Sequence, residues 1–129
     1  MEKPVIVVVD DDPSVREGTT DLLNAMGFST EAFESAEGFL NSEIRSHTSC
    51  LVADVQMPGM SGIELHKQLA ASGTPIPTIL ITAFPDTRAR TEALQVGVTC
   101  YLAKPFDEQA FLACIHLALE PRDPGGSES

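Results

Sequence analysis

The chain has 129 residues, 43% of them apolar, and a formal net charge of −11. This length suits one domain with its own core, and the apolar fraction excludes wholesale disorder. The negative charge argues against direct binding of nucleic acid or anionic lipid by this chain. No apolar stretch approaches the ~20 residues that span a bilayer, and the N-terminus lacks the pattern of a secretory signal. We therefore expect a cytoplasmic protein without a membrane segment.

Short apolar strands alternate with amphipathic helices along the chain. Strands are predicted, in order, at Val5–Val9, 28–33, 49–54, 77–82 and 99–103. Helices are predicted at 13–26, from Ser35 through Ile44, and at 62–71, 86–96 and 107–119. The alternation predicts an α/β fold of the (βα)5 type, in which helices cover both faces of a doubly wound, parallel, five-stranded sheet.

The two ends of this pattern are marked by local composition. Asp12 stands before Pro13 and is predicted to cap the first helix. Residues 1–120 are predicted to form the domain. Residues 121–129 are rich in Pro, Gly and Ser and are predicted to form a flexible tail or the start of a linker.

The cysteines and histidines show no metal-binding spacing. The three cysteines form no C-x-x-C pair, and Cys50 and Cys100 lie in or beside apolar runs, so both are predicted to be buried core thiols. The histidines are His47, His66 and His116. We expect them to be solvated or partly packed.

Polar side chains follow four of the predicted strands. Asp10 and Asp11 come after the first strand, Asp54 ends the third, Thr82 ends the fourth, and Lys104 follows the fifth. In an open parallel sheet the active crevice lies at the carboxyl ends of the strands. If the winding reverses near the first strand, these side chains converge at one edge.

The converging residue types suit phosphoryl transfer. Carboxylates from two loops repel one another unless a cation lies between them, and Mg²⁺ prefers hard oxygen ligands. Lys104 offers a positive charge and Thr82 a hydroxyl to phosphoryl oxygens. Asp54 can then act as the nucleophile, because an aspartate can form an acyl phosphate.

Four motifs carry a resemblance that covers residues 4–120. VVVDDDP, DVQMPGMSG, ITA and LAKPF resemble, in order and spacing, the receiver domain of two-component response regulators. The resemblance implies a flavodoxin-like sheet of strand order 2-1-3-4-5. The stretches SAEGFL, TAFPD and KPFDE resemble the FixJ-like branch, in which a helix-turn-helix domain follows the receiver.

The resemblance implies a role for each residue at the carboxyl edge. Asp54 resembles the phosphoacceptor, and Asp10 and Asp11 the acid pair that binds Mg²⁺ or Mn²⁺ together with Asp54. Lys104 resembles the active-site amine and Thr82 the hydroxyl that moves toward the phosphoryl group.

Further roles are implied for residues around this edge. The backbone carbonyl of Gln56 resembles another metal ligand, Pro105 a proline preceded by a cis bond, and Tyr101 an aromatic residue that turns inward as Thr82 moves. Gln56 and Phe84 occupy positions that tune phosphate lifetime in the family. We expect Phe84 to shield the acyl phosphate, so that autodephosphorylation is slow.

These roles predict a signalling switch rather than an enzyme with a turnover substrate. The phosphoryl donor would be a sensor histidine kinase. The output would be transcription, through a DNA-binding domain absent from this chain, or a partner protein. The fourth helix has few apolar residues. It therefore buries little apolar area, is held weakly and can shift. With the fifth strand and fifth helix it would form the signalling surface, which is a possible homodimer interface.

Two alternatives remain open from the sequence. The run from Asp10 to Ser14 loosely resembles the D-x-D-x motif of haloacid-dehalogenase-type phosphatases, in which Asp10 would be the nucleophile. A stand-alone or degenerate receiver could instead act by protein binding without phosphate. The position of any phosphoaspartate, at Asp54, at Asp10 or nowhere, separates the three.

Overall fold

The computed structural model describes residues 4–120, and the predicted tail at 121–129 lies outside them. Within that range five parallel strands form one sheet in the order β2-β1-β3-β4-β5. They are β1 (Val5–Val9), β2 (Ser29–Phe33), β3 (Cys50–Asp54), β4 (Thr78–Thr82) and β5 (Cys100–Ala103). The predicted fold class and strand order are confirmed, and the reversal of winding at β1 makes β1 and β3 neighbours.

Five α-helices within residues 4–120 pack against the two faces of the sheet. They are α1 (Pro13–Ala25), α2 (Ala36–Leu40), α3 (Gly62–Ala71), α4 (Thr87–Gln95) and α5 (Glu108–Leu119). Alternate residues of each buried strand point to opposite faces. Val7 of β1 therefore packs in a cluster with α2, α3 and α4, while Ile6 packs in a second cluster with α1 and α5. None of the helices within residues 4–120 is long and apolar enough to cross a membrane.

Side-chain caps fix where the helices at the carboxyl edge begin. Asp12 accepts a hydrogen bond from the backbone N–H of Ser14 at 2.9 Å, which confirms the predicted cap of α1. Ser61 and Glu64 form a reciprocal capping box at the start of α3. These caps satisfy backbone donors that the first helical turn leaves unpaired, so each helix start is well defined relative to the strand before it.

The prediction of a second helix running through Ile44 is wrong. Helix α2 ends at Leu40, and a separate 3₁₀ segment follows at Glu43–His47. The Ser42 hydroxyl donates to the carbonyl of Phe39 at 2.8 Å. A serine bonded locally in this way competes with the helical hydrogen-bond pattern, and the helix stops.

The prediction that Cys100 is a core thiol is also wrong. Cys100 at the start of β5 forms a disulfide with Cys114 of α5, and their Cα atoms lie 6.2 Å apart. Cys50 is a free, fully buried thiol, as predicted, and burial raises its pKa to about 12. The pairing was missed because it depends on how α5 packs on β5, which the spacing of the cysteines does not encode.

His66 is more buried than the sequence indicated. The residue is only 6% exposed. Nδ1 lies 2.8 Å from Thr78 Oγ1, and Nε2 lies 3.0 Å from the carbonyl oxygen of Val96. His66 thus connects α3 to β4 and to the end of α4. Its place three residues after Ile63, on the apolar stripe of α3, was the available signal.

Candidate functional site

The carboxylates predicted at the carboxyl edge lie close together. Asp10 follows β1 and Asp54 ends β3, and the register that pairs Val9 with Ala53 makes these two acids neighbours. Asp10, Asp11 and Asp54 each offer a carboxylate oxygen, and these oxygens all lie within 4.8 Å of one another. Asp10 and Asp54 are buried, at 4% and 9% exposure, whereas Asp11 is exposed. The cluster therefore opens to solvent on the Asp11 side.

Lys104 lies between the two buried carboxylates. Its Nζ atom is 2.9 Å from Asp54 Oδ2 and 3.3 Å from Asp10 Oδ2. The backbone N–H of Lys104 donates to the Thr82 carbonyl at 2.8 Å, which continues the pairing of β5 with β4. The Lys104–Pro105 peptide bond that follows is cis.

The electrostatics of this edge favour a bound cation. Partial burial by itself lowers the pKa of Lys104, but the hydrogen bond to Asp54 and the charge of Asp10 outweigh it, so the pKa is raised. Desolvation raises the pKa of Asp10, although a hydrogen bond from Asp12 N–H and the Lys104 charge oppose this. The raised pKa shows that negative charge at Asp10 is costly without further compensation.

The switch candidate Thr82 is fully buried, and its hydroxyl contacts Gln56. Thr82 Oγ1 donates to Gln56 Oε1 at 2.8 Å and accepts from the backbone N–H of Phe84 at 3.0 Å. The backbone N–H of Gln56 in turn donates to Asp54 Oδ1 at 3.0 Å. Gln56 therefore touches both the candidate acceptor and the candidate switch, through different groups. The role of its carbonyl as a metal ligand stays a prediction.

The two aromatic candidates are Tyr101 in β5 and Phe84 in the loop after β4. Tyr101 is partly buried, and its hydroxyl accepts a hydrogen bond from the backbone N–H of Asp86, the cap of α4, at 3.4 Å. Phe84 is 72% exposed. Its suggested shielding of an acyl phosphate stays a prediction, because the side chain faces solvent in this state.

Glycine shapes the loop that follows Asp54. The N–H of Gly62 donates to the Val55 carbonyl at 3.1 Å, which brings the start of α3 back against β3. A Cβ atom at Gly62 would lie 2.5 Å from the Asp54 carbonyl oxygen and 2.8 Å from Leu80 Cδ2. Gly59 has φ +80°, a conformation that side chains disfavour. The strand can therefore end on Asp54 and turn at once into α3.

Sequence reasoning missed one residue of this edge. Arg16 Nη1 donates to the backbone carbonyl of Asp10 at 2.7 Å. The contact ties the first turn of α1 to the loop that carries the acids. The signal was weak, because Arg16 lies one turn after the Asp12 cap and could equally have pointed to solvent.

The donor set fits a small divalent cation. Carboxylate oxygens are hard ligands, and one open side leaves room for the waters that Mg²⁺ retains. Asp10, Asp11 and Asp54 supply more negative charge than Lys104 alone neutralises. The residues present therefore fit Mg²⁺, or Mn²⁺, at this edge.

Comparison with known proteins gives the class. The sequence model of the response regulator receiver domain matches residues 6–116. The chain therefore belongs to the response regulator receiver domain family.

Individual relatives agree with this membership. The response regulator protein TodT of Pseudomonas putida is 40% identical over 116 residues, which cover 90% of this chain and 51% of TodT. The transcriptional regulatory protein FixJ of Bradyrhizobium diazoefficiens is 35% identical over 119 residues, 92% of this chain and 58% of FixJ. The solved structure of the response regulator StyR is 47% identical, with a TM-score of 0.84, covering 92% of this chain and 60% of that one.

These matches confirm the predicted resemblance to receivers with FixJ-like relatives. The chain spans about half the length of the curated relatives it matches.

Proposed function

We propose that this domain accepts a phosphoryl group on Asp54 from the phosphohistidine of a sensor histidine kinase. The observation that carries the proposal is the joint position of Asp54, Asp10, Asp11 and Lys104, from three separate parts of the chain, at one edge of the sheet. Family membership supports it, because receiver domains of response regulators interact with sensor kinases. The domain has no turnover substrate in this proposal, and it works in the cytoplasm.

Each residue of the carboxyl edge has its own role in the phosphoryl transfer. The carboxylate of Asp54 attacks phosphorus, the new O–P bond forms, and the N–P bond to the donor imidazole breaks. Lys104 already pairs with Asp54 and is placed to neutralise charge that develops on the phosphoryl oxygens. Bound Mg²⁺, held by Asp10, Asp11 and Asp54 with the Gln56 carbonyl, would supply further charge neutralisation and orient the phosphoryl group.

The phosphoryl group on Asp54 would then bias the conformation of the β4–β5 side. Thr82 would move its hydroxyl toward the phosphoryl oxygens, and Tyr101 would follow into the space that it leaves. Tyr101 contacts the α4 cap through the Asp86 N–H, so its movement can reach α4. Within α4, Ala93 is buried and Leu94 is 42% exposed, which suits a helix that is weakly held and can shift.

The output in this proposal is control of transcription. The name of FixJ describes a transcriptional regulatory protein, and this chain covers 58% of it. The surface of α4, β5 and α5 would carry the signal to a C-terminal DNA-binding domain, to a partner protein or to a second copy. With a net charge of −11, this chain would not bind DNA itself.

The test is incubation with acetyl phosphate and Mg²⁺, followed by intact-mass measurement and peptide mapping, with Asp54→Ala alongside. We expect a labile addition of one phosphoryl group that maps to Asp54 and is absent from the variant. An addition at Asp10 would support the phosphatase alternative instead. No addition would support a degenerate receiver that acts by protein binding.

A further inference from the structure

We propose that the Gln56 side chain is a positioning residue that holds Thr82 in its resting place and so opposes the switch. The inference rests on the proposed function, because it assumes that Thr82 turns toward a phosphoryl group on Asp54. It concerns the side chain of Gln56, whereas the metal-ligand role concerns its backbone carbonyl.

The contacts of the Thr82 hydroxyl carry the first step. A threonine hydroxyl has one proton to donate. In this structure Oγ1 donates that proton to Gln56 Oε1 at 2.8 Å, and it accepts from the Phe84 N–H at 3.0 Å. Thr82 is 0% exposed, so water cannot replace a lost partner without rearrangement. The hydroxyl is therefore satisfied where it stands.

The second step is a competition for the same proton. To donate a hydrogen bond to a phosphoryl oxygen on Asp54, the Thr82 hydroxyl must first break its hydrogen bond to Gln56 Oε1. The Gln56 side chain is the resting acceptor, and the phosphoryl oxygen is the active one. Every interaction that favours the resting acceptor raises the free energy of the switched state relative to the resting state.

The third step connects this acceptor to Asp54 itself. The Gln56 N–H donates to Asp54 Oδ1 at 3.0 Å. A phosphoryl group attached to the Asp54 carboxylate changes the charge and the bonding of the oxygens that this N–H contacts. The backbone of Gln56 is therefore hydrogen-bonded to the Asp54 carboxylate, which is the group that would be phosphorylated. Modification can weaken the hold on Thr82 directly.

The expected size follows from the net free energy of one neutral hydrogen bond. Removing the acceptor shifts the equilibrium between the resting and switched states by about 2- to 12-fold toward the switched state. A ligand that binds only the switched state gains apparent affinity by the same factor, because less of its binding free energy goes into the shift.

The experiment measures the affinity of the domain for beryllium fluoride with Mg²⁺, a phosphoryl mimic, in a double-mutant cycle. Gln56→Met removes the acceptor and keeps the length of the side chain. Thr82→Val removes the hydroxyl and keeps its shape, while Thr82→Ser keeps the hydroxyl. Gln68→Met, at an exposed glutamine of α3, is the matched control for the change of side chain.

We expect Gln56→Met to bind beryllium fluoride about 2- to 12-fold more tightly than the parent protein. The gain should persist with Thr82→Ser and vanish with Thr82→Val, and Gln68→Met should change nothing. A merely structural role for Gln56 would give the same effect in all Thr82 backgrounds. Unchanged or weaker binding by Gln56→Met, or a gain that survives Thr82→Val, would overturn the proposal.

A second readout separates this proposal from the proposed function. Absence of beryllium fluoride binding by the parent protein, with no phosphoryl addition at Asp54, would refute the proposed function. In that case, the proposal that Gln56 restrains Thr82 is tested by NMR couplings in metal-free protein, which measure the χ1 rotamer populations of Thr82. One rotamer in the parent protein and several in Gln56→Met would support the hold, and identical populations would overturn it.

Discussion

Lys104 Nζ lies 2.9 Å from Asp54 Oδ2, although the two residues are 50 positions apart in the sequence. The contact exists because β3 and β5 both run parallel to β4 and end at the same edge of the sheet. The same ammonium group also reaches Asp10, so one cation lies between two buried carboxylates. The ion pairs of Lys104 with Asp10 and Asp54 thus join the ends of three strands, and the same side chains form the candidate site.

Loss of the Lys104 charge should destabilise the domain most when metal is absent. Lys104→Met leaves Asp10 and Asp54 buried without a cation, and we expect the free energy of unfolding to fall by about 1–3 kcal/mol in chelator. Mg²⁺ should restore part of this loss, because it binds the same carboxylates in the folded state. Urea denaturation with and without Mg²⁺ measures both effects.

The control for this prediction is the exposed pair between Lys67 and Glu92. Its charged atoms are 2.8 Å apart, but the side chains are 47% and 48% exposed. Lys67→Met should therefore cost less than about 1 kcal/mol and show no dependence on Mg²⁺. Equal losses in the two variants would contradict a special role for the buried charges.

His66 should make the stability fall in mildly acidic solution. Burial lowers the pKa of His66 below its usual 6.5, although the hydrogen bond to Val96 opposes the shift. Between the folded-state and unfolded-state pKa values, His66 therefore binds a proton in the unfolded chain but not in the folded chain. The contribution of His66 is complete above pH 6.5 and is lost as the pH falls through the folded-state pKa.

The measurement is the free energy of unfolding at several pH values between neutral and mildly acidic. His66 should contribute a slope of up to about 1.4 kcal/mol per pH unit. The slope should disappear in His66→Gln and remain in His116→Gln, which alters an exposed histidine of α5. An unchanged slope in His66→Gln would refute this assignment.

Two glycine-to-alanine substitutions should have opposite signs. At Gly62 the added methyl group meets the Asp54 carbonyl and the Leu80 side chain, so Gly62→Ala should destabilise by about 1–3 kcal/mol. Gly18 lies within α1 with nothing within 4 Å of an added Cβ, so Gly18→Ala should stabilise by about 0.5–1 kcal/mol. Thermal or urea unfolding of both variants is the test. Stabilisation by Gly62→Ala would contradict the packing seen around Gly62, and destabilisation by Gly18→Ala would contradict the open surface at Gly18.

The disulfide should make the stability depend on reductant. It closes a loop with a sequence separation of 14 between β5 and α5, so reduction should lower the free energy of unfolding by about 2–4 kcal/mol. The effect of reductant should persist in Cys50→Ala, which removes the free thiol, and should be absent in Cys100→Ser. Denaturation curves with and without reductant provide the comparison, and an effect that survives in Cys100→Ser would point to another cause.

Local sequence determined the order of the strands and helices and the chemistry of the edge, although not the end of α2. The strand and helix order follows from hydrophobic periodicity, which repeats along the chain and needs no knowledge of distant contacts. Asp10, Asp54, Thr82 and Lys104 could be assigned to one edge because parallel strands present their carboxyl ends together. Given the strand order that the family resemblance implied, these residues could be predicted to lie close together.

Only the tertiary structure decided how individual side chains are used. The Cys100–Cys114 pairing, the burial of His66 between α3, β4 and α4, and the bond from Thr82 to Gln56 all join elements distant in sequence. Such contacts depend on the rotation of each helix on the sheet and on rotamers chosen by close packing. Periodicity identifies the face that a residue occupies, whereas packing selects which partner on that face it meets.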